Sequence, residues 1–330
     1  MTDKRIGIIT SGGDASGINA VFHGLLVHQN IDVFGFQGGY DGIIHNEPIH
    51  LTNSMTSRAI LNGESMVRTA RSKAPLTEAG RKAILKKLTE HKIDSLVVCG
   101  GDGSGKAAYL LSEIGLDTLL IPMTIDNNIY GSEYTVGYYT ALESIRTCVQ
   151  RIHQTGHNMA GRVFMIETFG GDSGQLTLAA ALYCGADIAI IPERKFDLQR
   201  ITNRIKEVLE EKQQCIILCC EASFLSKAYH LGDQGASFEV GEQITKITKE
   251  RVRHTILGYC QRSGDPAIAD IEKALLMGYH AGESLRNKIT GQMIGFKDNK
   301  VTCIPLEEIS SMKKELDQNN CILAEQLKII

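Results

Sequence analysis

Short apolar runs of strand length alternate with amphipathic runs of helical period from the start of this chain, and few architectures accept that order. Strand patterns cover residues 5–10, 31–36, 118–122, 162–167, 188–192 and 215–220, and another ends at Gly100. Helical patterns cover 17–29, 77–91, 105–114, 140–154 and 198–212, with one more near 174–184. Thr77 suits an N-cap, and Ile84, Leu85 and Leu88 follow it at helical spacing. Such alternation predicts mostly parallel sheets joined by right-handed crossovers. With 330 residues the chain is long enough for two lobes. The expected fold is α/β, with two Rossmann-like lobes of mostly parallel sheet flanked by helices.

Composition narrows the function. Lys and Arg number 35 against 38 Asp and Glu, for a net charge of −3, which removes the electrostatic basis for a general nucleic-acid binder. No apolar run reaches the roughly 18 residues of a membrane span, so no membrane partner is expected. The first five residues lead into a strand with no apolar leader, which predicts a cytoplasmic protein without a signal peptide. The nine cysteines are an odd number and several lie in apolar runs, as reduced core thiols do. Cys219 and Cys220 are adjacent on a strand and so face opposite ways, which favours packing over a redox or metal pair.

Chemistry concentrates in the loops that close the strands, where ligands collect in open α/β sheets. Gly100-Gly101-Asp102-Gly103-Ser104 closes one apolar strand and Thr124-Ile125-Asp126-Asn127-Asn128 closes the next. The first is glycine-rich enough for backbone N–H groups to approach a polyphosphate, and Asp102 can hold Mg2+. The second offers Asp126 as a base for an acceptor hydroxyl. A third loop, residues 11–19 (SGGDASGIN), follows the first strand and also suits a phosphate chain. Gly100 to Lys106 nearly spells a Walker A loop. Ala107 stands where that loop needs Ser or Thr, and Asp102 would put negative charge in the phosphate nest. The spacing also departs from a dinucleotide fingerprint. Phosphoryl transfer is the chemistry these loops fit.

The segments SGGDASGIN at 11–19, CGGDGS at 99–104, TIDNN at 124–128 and LGYCQRSGDP at 257–266 stand in the order and spacing of the phosphofructokinase family. The bacterial-type, ATP-dependent 6-phosphofructokinases are similar over nearly the whole chain. That resemblance implies transfer of the ATP γ-phosphoryl group to fructose 6-phosphate in glycolysis, with Mg2+. Asp126 matches the family's base and Thr124 stands beside it; Asp102 matches the metal position. Gly12, Tyr40, Arg71, Ser72, Gly101, Gly103 and Ser104 match contacts around the nucleotide. Thr124, Asp126, Arg162, Phe169, Gly170, Glu221, Arg253, Tyr259 and Arg262 match the sugar-phosphate site. Arg162 and Arg253 would reach across from a neighbouring subunit, so the resemblance implies a homotetramer with shared active sites. It also implies a nucleotide-binding lobe of 1–137 plus 252–300 and a sugar-phosphate lobe of 138–251 plus 301–330.

The chain departs from that pattern in places. Asn128 replaces a carboxylate, and Gly171 replaces an arginine thought to stabilise the transferring group. Tyr259 replaces a histidine and Ser263 a glycine. Gly103 favours ATP over pyrophosphate, whereas Met123 fits neither donor's pattern. His23 and Val27 stand where regulated relatives carry effector-binding arginines. Arg68 is an extra cation near the nucleotide loop that could replace a missing charge. The departures also admit a catalytically impaired regulatory subunit, or a kinase of another sugar phosphate.

Overall fold

Parallel pairing of apolar strands builds two separate sheets, and the computed structural model describes them over residues 4–223 and 235–330. In chain order the first half contains β1 (Lys4–Ser11), α1 (Ile18–Leu25), β2 (Ile31–Gly35), α2 (Gly39–His45), β3 (Ile49–Leu51) and α3 (Asn53–Ala59). It continues with α4 (Glu78–Glu90), β4 (Ser95–Gly100), α5 (Asp102–Ser112), β5 (Asp117–Pro122) and α6 (Tyr138–Asn158). Then come β6 (Arg162–Thr168), α7 (Gln175–Cys184), β7 (Ile188–Ile190), α8 (Leu198–Lys212), β8 (Gln214–Cys220) and α9 (Ala236–Thr248). The last part is β9 (Val252–Ile256), α10 (Ile268–Arg286), β10 (Gln292–Lys297), β11 (Lys300–Pro305), α11 (Leu306–Ser311) and α12 (Gln318–Gln326).

The chain divides into two compact units, Met1–Thr140 with Arg262–Lys314 and Ala141–Gln261 with Glu315–Ile330. The first holds a seven-stranded sheet in the order β11-β10-β5-β4-β1-β2-β3. Its central strands are parallel, and β3 and β11 add antiparallel edges. Ile9, Val98, Leu120, Ile84 and Leu111 are among the buried residues of its core. The second unit holds the four-stranded, all-parallel sheet β7-β8-β6-β9. Its strands β7 and β8 are buried along their whole length and β6 at all but Arg162, as doubly covered parallel strands are, whereas edge strand β9 is mostly half-buried.

Two segments lie in other units than the expected ranges give. Val252–Ile256 pairs with β6, so it belongs to the second sheet. Residues 301–314 belong to the first, because β11 turns back on β10 through Asp298 and Asn299. Both turn residues have left-handed φ, 50° and 55°, which suits a tight two-residue hairpin.

Local chemistry sets the helix ends. Thr77 accepts the Gly80 N–H at the start of α4, and Asp197 accepts the Arg200 N–H at the start of α8. The helix expected over 17–29 stops at Leu25, because the chain turns there toward Asn30 at φ 70°. The helix expected from residue 105 begins three residues earlier, so Asp102, Gly103 and Ser104 form its first turn. Cys219 lies in the second core, while the Cys220 thiol on the opposite face reaches the Ser173 carbonyl; burial pushes that thiol up to about 12.

A buried carboxylate on α10 fixes the segment after β5. Asp270 accepts hydrogen bonds from the Tyr134 hydroxyl (2.7 Å), the Gly137 N–H (3.1 Å), and the Thr140 N–H and hydroxyl (2.6 and 2.5 Å). Burial lifts the Asp270 pKa, and the four donors only partly oppose it. The folded state therefore binds the proton more tightly than the unfolded chain, so this group contributes more stability as pH falls. Asp270→Asn should cost about 1–3 kcal/mol at neutral pH, because it puts an amide N–H against these donors. Urea titrations should show the gap from wild type widening as pH falls toward the ordinary carboxylate range; a constant gap would contradict the assignment.

Candidate functional site

Three strand-end loops of the first unit form one floor because β1, β4 and β5 run parallel in close register. Thr10 pairs with Cys99 and Ser11 with Gly100, while Gly100 pairs with Pro122. The ends of all three strands thus reach the same level. Gly100 has no room for a side chain, since a Cβ there would lie 2.5 Å from the Ser11 carbonyl oxygen. The Ser104 hydroxyl then donates to that carbonyl at 3.1 Å, and the Tyr40 hydroxyl donates to the Ser104 carbonyl at 3.1 Å. Gly12 has φ 101°, and its N–H donates to the Ala70 carbonyl, which holds the 66–72 segment against the floor.

These loops line a cavity of about 460 Å³. The predicted nucleotide residues Gly12, Tyr40, Arg71, Ser72, Gly101, Asp102, Gly103 and Ser104 all line it, as do Thr124 and Asp126. Arg262 lines it too, with its guanidinium set against Gly13 and 3.5 Å from the Asp14 carbonyl. Asn128 and Met123 lie in the same wall. Arg68 is not in that lining; its carbonyl accepts the Gly38 N–H.

Asp126 is held by its own loop. The Thr124 hydroxyl donates to its carboxylate at 3.1 Å and accepts the Asp126 N–H at 3.2 Å. Behind it, the Thr135 hydroxyl donates to the Thr124 carbonyl at 2.5 Å. Asp102 stands in the first turn of α5, where the helix dipole favours negative charge. Its carboxylate lies 3.0 Å from the Lys106 ammonium, and both side chains are about half exposed (48%). Exposed pairs at this spacing contribute only about 0.3–0.5 kcal/mol. Lys106 also lines the cavity, a position that reading the loop as a failed Walker A sequence passed over; its i,i+4 spacing from Asp102 was the available signal.

Magnesium fits this donor set as a hard cation held by one or two carboxylates and completed by waters and phosphates. Asp102 and Asp126 supply carboxylates to one cavity, and no cluster of three or more ligating side chains occurs among the described residues. That suits a metal arriving with a polyphosphate.

The remaining predicted residues lie in the second unit, in two groups. Glu221 accepts the N–H groups of Gly170 (3.3 Å) and Gly171 (3.0 Å). Phe169 donates its N–H to Gln261 and meets the Tyr259 ring edge-on at 5.8 Å. Tyr259 is 81% exposed. Gly171 has φ 59°, so an arginine there would adopt a left-handed backbone. The other group is Arg162, which opens β6, and Arg253 on neighbouring β9. Burial, then Arg162 and Arg251, hold the Arg253 guanidinium below its ordinary pKa, a crowding of like charge that an anion would relieve. Phe169 follows the far end of β6, so the two groups stand about 20 Å apart along the strand. One chain does not bring them together.

A family model described as phosphofructokinase matches residues 5–285. The chain is similar to an ATP-dependent 6-phosphofructokinase of Oceanobacillus iheyensis, 33% identical over 330 residues covering 99% of this chain and 100% of that one. Another of that name, from Halothermothrix orenii, is 34% identical over 340 residues, covering 99% and 100%. Among solved structures, Pichia pastoris phosphofructokinase in the T-state matches with a TM-score of 0.84 at 25% identity, over 99% of this chain and 37% of the Pichia chain. A pyrophosphate-dependent phosphofructokinase from Nitrosospira multiformis shares the fold, with a TM-score of 0.85 at 17% identity, covering 98% and 91%.

The glycines of the floor should differ sharply in tolerance. Gly100→Ala should destabilise by about 2–4 kcal/mol, because backbone blocks the new methyl group. Gly103→Ala meets nothing within 4 Å and should stay within about 0.5 kcal/mol. Thermal or urea unfolding of both variants measures the contrast; equal losses would refute it.

Proposed function

The chain belongs to the phosphofructokinase family, and from that premise we propose that it is an ATP-dependent 6-phosphofructokinase. The reaction moves the γ-phosphoryl group of ATP to the 1-hydroxyl of fructose 6-phosphate. The observation that carries this reading is the meeting of Asp102, Asp126 and three parallel strand ends, two of them glycine-bearing, in one cavity. Asp126 takes the proton of the attacking hydroxyl, and Thr124 orients its carboxylate. Gly12, Gly101, Gly103 and Ser104 leave the floor open to phosphates, with Tyr40, Arg71 and Ser72 along its rim. Asp102 would hold Mg2+, which when bound neutralises charge on the polyphosphate. Open space at Gly103 supports ATP as donor. The first unit is thus read as the nucleotide lobe and the second as the sugar-phosphate lobe.

Glu221, Phe169, Gly170 and Tyr259 would meet the sugar, and Arg162, Arg253 and Arg262 its phosphate, where guanidinium forks suit the dianion. The distance along β6 between Arg162 and Phe169 supports a tetramer in which Arg162 and Arg253 serve a neighbouring subunit. A second reading, a ligand-binding subunit without turnover, is favoured by Asn128 in the cavity wall and by the lack of a side chain at Gly171.

A coupled assay with ATP and fructose 6-phosphate decides between them. Turnover is expected, and Asp126→Ala should lower kcat by about 10²–10⁴ while ATP affinity stays within a few-fold. Binding of both ligands without turnover would favour the second reading. Subunit sharing has its own test. Unfolding and refolding a mixture of Asp126→Ala and Arg253→Ala chains should recover activity that neither has alone; no recovery in mixed oligomers would place Arg253 in its own chain's site.

A further inference from the structure

The carboxylate expected to hold the metal already holds a cation. Asp102 and Lys106 stand one helical turn apart on α5, their charged atoms 3.0 Å apart, and both side chains line the cavity. Between them, Gly105 faces Ile309 and Leu120, whereas Gly103 opens onto empty space. Asp102, Gly103, Ser104, Lys106 and Ala107 of α5 line the cavity, and Asp102 and Lys106 are the two among them that carry charge. The pair is half exposed and weak, so either charge can leave the other at little cost. A lysine ammonium on a flexible stem can follow a moving anion.

We propose that Asp102 and Lys106 are an exchange pair that makes polyphosphate binding depend on the metal. Without a donor, the ammonium neutralises Asp102. A polyphosphate arriving without metal meets a lysine already engaged and a carboxylate that repels it. A magnesium-loaded polyphosphate brings its own cation to Asp102 and releases the ammonium, which then takes a phosphate oxygen. Lys106 thereby acts as a specificity-determining residue for the donor's metal-loaded form. No bond is made or broken in the exchange. The inference rests on the reading of this cavity as the donor site, but not on which sugar accepts the phosphoryl group.

Calorimetry of the full-length protein tests it without turnover, using ATP with excess Mg2+ and ATP in EDTA as the two probes. Lys106→Met should weaken Mg2+–ATP about tenfold, as loss of one charge-assisted contact does, while metal-free ATP changes less than about twofold. Asp102→Asn should tighten metal-free ATP about five- to tenfold by freeing the ammonium, and adding Lys106→Met should abolish that gain. Lys106→Arg should retain most of the metal dependence. Equal weakening of both probes by Lys106→Met would make Lys106 an ordinary phosphate ligand and overturn the exchange. No effect on either probe would reduce the pair to a solvated surface contact and overturn it too, as would wild-type protein that binds neither probe. Failure of the kinase reading looks different: the binding pattern stands and fructose 6-phosphate is not turned over.

Discussion

Close backbone approach at the ends of three parallel strands is the constraint on which the site depends. The register of β1, β4 and β5 brings Ser11, Gly100 and Pro122 to one level. Gly100 is the point of contact, and no side chain fits between it and the Ser11 carbonyl. From that contact follow the Ser104 and Tyr40 hydrogen bonds, the early start of α5, and the projection of Asp102 and Lys106 into the cavity. Asp102 and Lys106 sit on a helix turn, and Thr124 and Asp126 on a short loop after β5 that its own hydrogen bonds hold. A site so built is preorganised by packing rather than by the ligand.

Most of this floor was legible in the sequence because it depends on local rules. Apolar runs closed by glycine and aspartate marked the strand ends, and helical spacing marked α4 and α8. The start of α5 differs from the expected one, since glycine and aspartate have loop preferences while the parallel strands draw them into a first turn. The edge strands were harder still. β9 and β10 gain their structure from β6 and β5, partners far away in sequence, while β3 has only three residues and β11 follows β10 through a two-residue turn. Lys106 was hidden for another reason: a motif that failed at Ala107 took the lysine out of consideration, although its spacing from Asp102 pointed to a pair.

The substitutions that set this chain apart have different structural settings. Asn128 stays in the cavity wall, so a neutral amide faces the space where a carboxylate was expected. Gly171 has a left-handed backbone and gives its N–H to Glu221, a role the main chain performs without a side chain. Tyr259 lies almost wholly in solvent and touches Phe169 by a ring edge. His23 hydrogen-bonds Thr56 at 3.0 Å, while Val27 is exposed, so neither offers the fixed charge of an arginine.

The division of the chain has a consequence for how the protein is made. The first unit is discontinuous, with α10 and the β10–β11 hairpin encoded after residues 141–261 of the second unit. On the ribosome, residues 1–140 emerge with Tyr134 and Thr140 lacking the Asp270 carboxylate that later receives their hydrogen bonds. Gly24 and Gly278 let α1 and α10 approach almost backbone to backbone, so until α10 arrives the apolar side of α1 lacks that cover. The second unit, apart from α12, is complete in sequence by then. The half that carries Asp126 therefore waits for segments made after residue 261 before its core closes, and until then the nascent chain depends on whatever shields exposed apolar surface during translation.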